Sequence, residues 1–312
     1  MGVHGVGLGA TERAKSSAPP KLPSFFVIGP PRTGTSWLHE VLREHTNLPT
    51  PAKETRFFDT HFERGISWYH AHYRNLNGDR PMGEIAPTYF ASAVARKRIA
   101  ELVPGARIVC IFRNPVERIL SLYRLKRAYG MIRWNLEEAI VRDPELTQSS
   151  KYATNLKEWQ KDLGAEQILP TFYDDLREDP QSYIDSVADF IQVPRFRLSR
   201  RDIRHVHASK TMTHPRNYYW TRSATTIADW FKAWRLHTIV VQVKNSPLVG
   251  LFLGGGREFS DLSRDLSRRI YELCQQEVED LEALLNRDLS AWKGYESVNF
   301  SEIEGPGLLR SR

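Results

Sequence analysis

Phe25-Phe26-Val27-Ile28-Gly29-Pro30-Pro31-Arg32-Thr33-Gly34-Thr35-Ser36-Trp37-Leu38 is the stretch that decides the fold of this 312-residue chain. Four apolar residues running into Gly29, Pro30 and Pro31 read as a buried strand entering a turn. Trp37, Leu38, Val41 and Leu42 then recur at helical spacing. The order is strand, loop, helix. Gly29 and Gly34 carry the Gly-x4-Gly spacing of a phosphate loop, whose amides at a helix N-terminus hold an anion. An ordinary tight turn is the alternative, and Pro-Pro-Arg-Thr-Gly-Thr-Ser directly after an apolar strand favours the anion site. In nucleotide-hydrolysing loops a lysine follows the second glycine, and the next hydroxyl holds Mg²⁺. Here Thr35 stands at the lysine position and the cation is Arg32, inside the loop. That weakens a triphosphate site and suits a short 5′ group with Arg32 near its reacting end.

Working outward, Arg107–Phe112 is a second buried strand. It ends in Arg113, where a hydrolase of this plan carries an acidic metal ligand. A helix follows at once, with Asn114 as N-cap, Pro115 at the first helical position and Glu117 three residues after the cap. Ser121 lies about two turns in, roughly 10 Å along the helix. Arg113 and Ser121 grip one phosphate if that helix packs back beside the strand end; a surface ion pair and a plain helix hydroxyl are the alternatives. A third strand is expected at Gln167–Tyr173, weakened by Pro170, which lacks an N–H. Helices are expected at Tyr152–Asp162, Gln181–Ile191 and Glu258–Asn286. Strands alternating with helices predict an α/β fold, a P-loop-like parallel sheet flanked by helices. Residues 1–22, rich in Gly, Ala, Ser and Pro, read as a flexible tail, 23–300 as one domain and 301–312 as a C-terminal tail.

The formal net charge of +7 (44 Lys and Arg against 37 Asp and Glu) favours anionic partners. Cys110 and Cys274 read as small buried apolar residues, with no disulfide or metal spacing. The N-terminus shows no signal-peptide core. Residue 6 is not Ser or Thr, so the myristoylation pattern fails. No stretch reaches the roughly 18 apolar residues of a spanning helix. A cytoplasmic protein is expected.

Taken together, Gly29–Trp37 and Arg113-Asn-Pro-Val-Glu-Arg-Ile-Leu-Ser-Leu-Tyr123 resemble the 5′-phosphosulfate loop and the 3′-phosphate motif of sulfotransferases. The donor of that family is 3′-phosphoadenosine 5′-phosphosulfate (PAPS). Lys53-Glu-Thr-Arg-Phe-Phe-Asp59, then Gly65, Trp68 and Tyr69, are similar to the heparan sulfate and bacterial carbohydrate branch. Glu84–Phe90, Tyr152, Leu156, Trp159 and Asp175-Leu176 with Asp179-Pro180 extend the likeness from about residue 24 to 192. The resemblance implies the sulfotransferase fold and in-line sulfuryl transfer from PAPS, leaving adenosine 3′,5′-bisphosphate (PAP), with no metal. It makes Glu54 the base, Arg32 the cation at the bridging oxygen and Lys53 a ligand of the sulfuryl oxygens. It assigns Thr33, Gly34, Thr35, Ser36 and Trp37 to the 5′ end, Arg113 and Ser121 to the 3′ phosphate, and Tyr152, Lys210 and Arg216 to further donor contacts. One departure stands out: Ile85 occupies a position where the glycan branch has Lys. Gly83–Phe90 contains no His, which argues against the base of the phenol and steroid branch.

Arg195, Arg197, Arg200, Arg201 and Arg204 read as a solvated basic face or a rim for an anionic acceptor. His205 and His207 lack a third ligand, so no metal is expected. Ile227–Lys244 reads as a helix, Leu248–Leu253 as an apolar run and Gly254–Gly256 as a flexible loop. No nucleic-acid motif is evident. The expected acceptor is a carbohydrate hydroxyl or amine, with a small metabolite or lipid next. The rival classes are a P-loop kinase or NTPase and a non-catalytic polyanion-binding protein.

Overall fold

Four short strands lie side by side in the order β2-β1-β3-β4, all parallel. They are β1 (Phe25–Val27), β2 (Gly83–Ile85), β3 (Arg107–Phe112) and β4 (Ile168–Phe172). The structure is a computed structural model. It describes residues 21–73, 78–207, 213–215, 218, 221–223, 226, 255–259 and 262–293. Between and after the strands run α1 (Thr35–Leu42), α2 (Gly65–His70), α3 (Ala93–Leu102), α4 (Pro115–Ala128), α5 (Leu136–Arg142), α6 (Pro144–Gln148), α7 (Tyr152–Leu163), α8 (Tyr173–Glu178), α9 (Pro180–Ile191), α10 (Arg200–His207) and α11 (Arg264–Leu285).

Strand side chains alternate between two covered faces, which is why β1, β3 and most of β4 read as apolar, while β2 carries the buried Glu84. Phe26, Ile108, Cys110 and Phe112 pack with α3, α4, α7 and α11; Phe25, Val27, Val109 and Ile111 pack with α1, α8 and α9. The parallel sheet between two helical layers is the expected α/β plan. Both cysteines are buried and free. No helix among the described residues is long and apolar enough to cross a membrane.

The expected third strand forms as β4, and Pro170 is accommodated because β4 is an edge strand paired only with β3. Asn114 caps α4 by accepting from the Val116 N–H at 3.0 Å, as the sequence signals predict. Two expectations at the C-terminal end need correction. The last helix begins at Arg264, where Ser263 caps it, and not at Glu258. Gly255 and Gly256 are not loop residues: Gly255–Glu258 is a strand, β6, paired antiparallel with β5 (Thr213–Pro215). Backbone pairing with β5 overrides the glycines' weak strand preference. Lys210, Arg216, Ile227–Lys244 and Leu248–Leu253 lie outside the described residues.

Candidate active site

The loop after β1 is shaped by its glycines and one hydroxyl. A Cβ on Gly29 would sit 2.5 Å from the Ile111 nitrogen, so only glycine lets the chain pass this close to β3. Thr33, fully buried, donates its hydroxyl to the Pro30 carbonyl at 2.8 Å and closes the loop on itself. Arg32 and Gly34 both take left-handed backbone, with φ of 77° and 102°. The arginine pays for that conformation with strain of about 1–3 kcal/mol. Gly34 starts α1 with no side-chain cap, and the first turn holds no acidic residue. The Thr35 and Ser36 amides therefore precede any intrahelical partner and lie at the positive end of the helix dipole.

The second motif reaches this loop in a way the spacing did not predict. The Ser121 hydroxyl accepts from Arg32 Nε at 2.9 Å, which joins the two motifs directly. Arg113, only 7% exposed, gives two hydrogen bonds to Glu117 at 3.0 and 2.8 Å and one to the Arg32 carbonyl at 3.3 Å. The i, i+4 spacing of Arg113 and Glu117 is the helical pairing rule carried one step before the helix. Glu117, a helix-start signal in the sequence, is here the ion-pair partner of Arg113. The Arg113 guanidinium lies over the Tyr173 ring, 4.6 Å from its centroid. Burial, and then the nearby Arg113 charge, push the Arg32 pKa down from its ordinary value. Arg32 has no carboxylate partner among the described residues, so the two crowded cations are partly unneutralised. An anion between the motifs relieves that repulsion.

Tyr152 and Trp37 support the site through the core. Tyr152 is fully buried and donates its hydroxyl to the Arg113 carbonyl at 2.8 Å. Behind it, the buried Arg118 donates to Ser150 Oγ and to the Leu146 carbonyl of α6. Trp37 points inward, 7% exposed, with its ring edge-on to Tyr183 and its indole N–H on the Asp202 carbonyl at 2.9 Å. That bond ties α1 to α10.

Lys53 arrives from the segment after α1 and donates to Ser36 Oγ at 2.9 Å. Burial lowers its pKa most; Glu54 and Glu40 raise it, and Arg32 lowers it further. The half-buried Glu54 shifts the other way. Burial raises its pKa, and Lys53 and Arg56 pull it back. A carboxyl made more basic by burial, beside cations that keep it ionised, suits a proton acceptor. His39, one turn beyond Ser36, is pushed down to about 4 by burial and Lys53, so it stays neutral beside that cation.

One buried polar cluster was not among the site residues expected from the sequence. Glu84, fully buried on β2, accepts from the Thr55 backbone and hydroxyl, Tyr69 and Tyr89. A charged residue inside the Gly83–Ile85 strand was the available signal. Ile85 lies fully buried in the core beside Val27, so at this position the chain packs its core. Arg195 pairs with Asp189, and Arg197, Arg200, Arg201 and Arg204 are exposed. Among the described residues no three His, Cys, Asp or Glu side chains group as metal ligands.

Against known proteins, the family model for the sulfotransferase domain matches residues 22–233. The mouse bifunctional heparan sulfate N-deacetylase/N-sulfotransferase 4 is 32% identical over 203 residues, covering 57% of this chain and 23% of its own length. The human bifunctional heparan sulfate N-deacetylase/N-sulfotransferase 3 is 32% identical over 204 residues, with the same two shares. The chain thus spans about a quarter of the length of these relatives. A crystal structure of a sulfotransferase from Alicyclobacillus acidocaldarius superposes with a TM-score of 0.63 at 20% identity, covering 88% of this chain and 100% of that one. That likeness concerns the fold.

Proposed function

The chain belongs to the sulfotransferase domain family, and from that premise we propose that it transfers a sulfuryl group from PAPS to a carbohydrate hydroxyl or amine. The observation that carries this reading is the Arg32–Ser121 contact at 2.9 Å. It joins the loop after β1 to the helix after β3 and sets the Arg32 and Arg113 guanidinium groups close enough for their charges to interact. A nucleotide with a charged 5′ end and a separate 3′ phosphate matches that pattern. A triphosphate with Mg²⁺ matches it poorly, because Thr35 replaces the loop lysine and Arg113 replaces the acidic strand end.

In this reading the Thr35 and Ser36 amides hold the 5′ phosphate, and Arg113 and Ser121 the 3′ phosphate. The acceptor oxygen or nitrogen attacks sulfur in line and gives its proton to Glu54. The S–O bond to the phosphate breaks, and its electron pair stays on the phosphate oxygen beside Arg32. Lys53 balances charge on the sulfuryl oxygens, where a preplaced cation counts most as charge develops. The carbohydrate acceptor is supported by relatives whose names specify heparan sulfate and by the Lys53-Glu54 turn.

Labelled PAPS offered to glycan, phenolic and lipid acceptors tests this. Label on a glycan is the expected result. Label only on phenols or lipids overturns the acceptor class, and no transfer to any acceptor overturns the reaction.

A further inference from the structure

Glu84 is a fully buried carboxylate with neutral donors around it. One oxygen accepts from the Thr55 N–H at 3.0 Å, the Thr55 hydroxyl at 2.6 Å and the Tyr89 hydroxyl at 3.3 Å; the other accepts from the Tyr69 hydroxyl at 2.7 Å. Two of these donors pass the contact on. Thr55 Oγ1 accepts from the Phe57 N–H at 3.1 Å, and the Tyr89 hydroxyl accepts from the Phe58 N–H at 3.2 Å. Both chains therefore start at Glu84 and end on the backbone just after Glu54. Arg56, between Thr55 and Phe57, is a non-glycine residue in left-handed backbone with φ of 54°. Such a conformation persists where its surroundings over-determine it.

We propose that Glu84 is the positioning residue of the Glu54 turn: its carboxylate, through Thr55 and Tyr89, sets where the base stands relative to the donor loop. The inference rests on the reading of Glu54 as base. Among the described residues no hydrogen bond of Glu84, Thr55, Tyr69 or Tyr89 reaches Gly29–Ser36, Arg113 or Ser121, so loss of the network should change PAP affinity little. A glutamine keeps the carbonyl acceptor toward Thr55, and its amide donates to Tyr69, whose proton turns to Tyr73 Oη, 3.1 Å away. An apolar side chain of similar size removes every acceptor.

The test compares Glu84→Gln, Glu84→Met and Thr55→Val by hydrogen exchange, PAP affinity and kinetics. In Glu84→Met, exchange should rise within residues 54–61 and stay unchanged in β1 and β3. Its PAP affinity should stay within about twofold while kcat falls at least about tenfold, the order lost when a reacting group is misplaced. The acid limb of its pH profile should move down, toward an ordinary glutamate, as Glu54 loses its burial. Thr55→Val should lose kcat to a smaller extent, and Glu84→Gln should retain most of it. Exchange rising across the whole sheet, or kcat and PAP affinity falling together, makes Glu84 a core residue only and overturns the proposal. Unchanged exchange at 54–61 overturns it as well. If Glu84→Met does not fold, Thr55→Val decides: wild-type kcat and exchange there overturn the proposal. The exchange pattern is read without turnover, so it separates a failure of this inference from a failure of the sulfotransfer reading.

Discussion

The donor loop at Gly29–Ser36 and the turn at Lys53–Phe58 meet at Ser36, yet they are built in opposite ways. The loop is local. Thr33 closes on Pro30 three residues back, Gly34 starts α1, and the charge that accumulates there is positive. The turn is held from a distance. Its anchors, Glu84 and Tyr89, lie 29 and 31 residues from the Thr55 and Phe58 amides they bind. It carries an anionic side chain whose basicity burial raises. In the proposed function one half attracts a charged donor, and the other holds a proton acceptor at a set position and should contribute little to donor affinity.

Substitutions that spare one half and strike the other break or sharpen this contrast. The largest effect is expected for Glu54→Gln. It should lower kcat by about 10²–10⁴-fold, the usual contribution of a positioned acid or base, and leave PAP affinity within about twofold. As the proposed base, Glu54 must be ionised to work. Its raised pKa puts the acid fall-off of kcat above the ordinary glutamate range, and Glu54→Gln should abolish that limb. Steady-state rates across pH, paired with PAP calorimetry, check both halves. PAP affinity falling in step with kcat would remove the division of labour.

Arg113→Ala should act on the donor half by a smaller factor. Removing one member of a buried charged set costs about 2–5 kcal/mol. PAP binding should weaken accordingly, while AMP, which lacks the 3′ phosphate, changes little. Ser121→Ala should cost about 1 kcal/mol, since it removes a neutral hydrogen-bonding group. Calorimetry of PAP against AMP in each variant measures this. Equal losses for the two nucleotides would mean that Arg113 does not read the 3′ phosphate.

The same contrast explains what was legible in the sequence. The sheet and the donor loop were readable because their determinants are contiguous: an apolar strand, a Gly-x4-Gly turn, and a helix with Asn114 and Pro115 at its start. Pro170 cast doubt on β4, and only the strand order shows that an edge position removes the objection. Arg113 and Ser121 were identified from their motif, but which partner each would take was not readable. The helix after β3 presents Ser121 to Arg32, and the i, i+4 geometry gives Arg113 to Glu117. The Glu84 network was not legible because it exists only once β2 brings the carboxylate to Thr55, Tyr69 and Tyr89. At the C-terminal end, the backbone pairing that turns Gly255 and Gly256 into a strand depends on Thr213–Pro215, about 40 residues away in the sequence.

The account stands on the claim that Arg32, Arg113 and the start of α1 form a metal-independent site for a nucleotide with a separate 3′ phosphate. Calorimetric titration with PAP in the presence of chelator, followed by ATP with Mg²⁺, tests it most directly. The prediction is one PAP bound per chain without Mg²⁺, and no displacement by Mg-ATP. Mg²⁺-dependent ATP binding, with no binding of PAP, would contradict it.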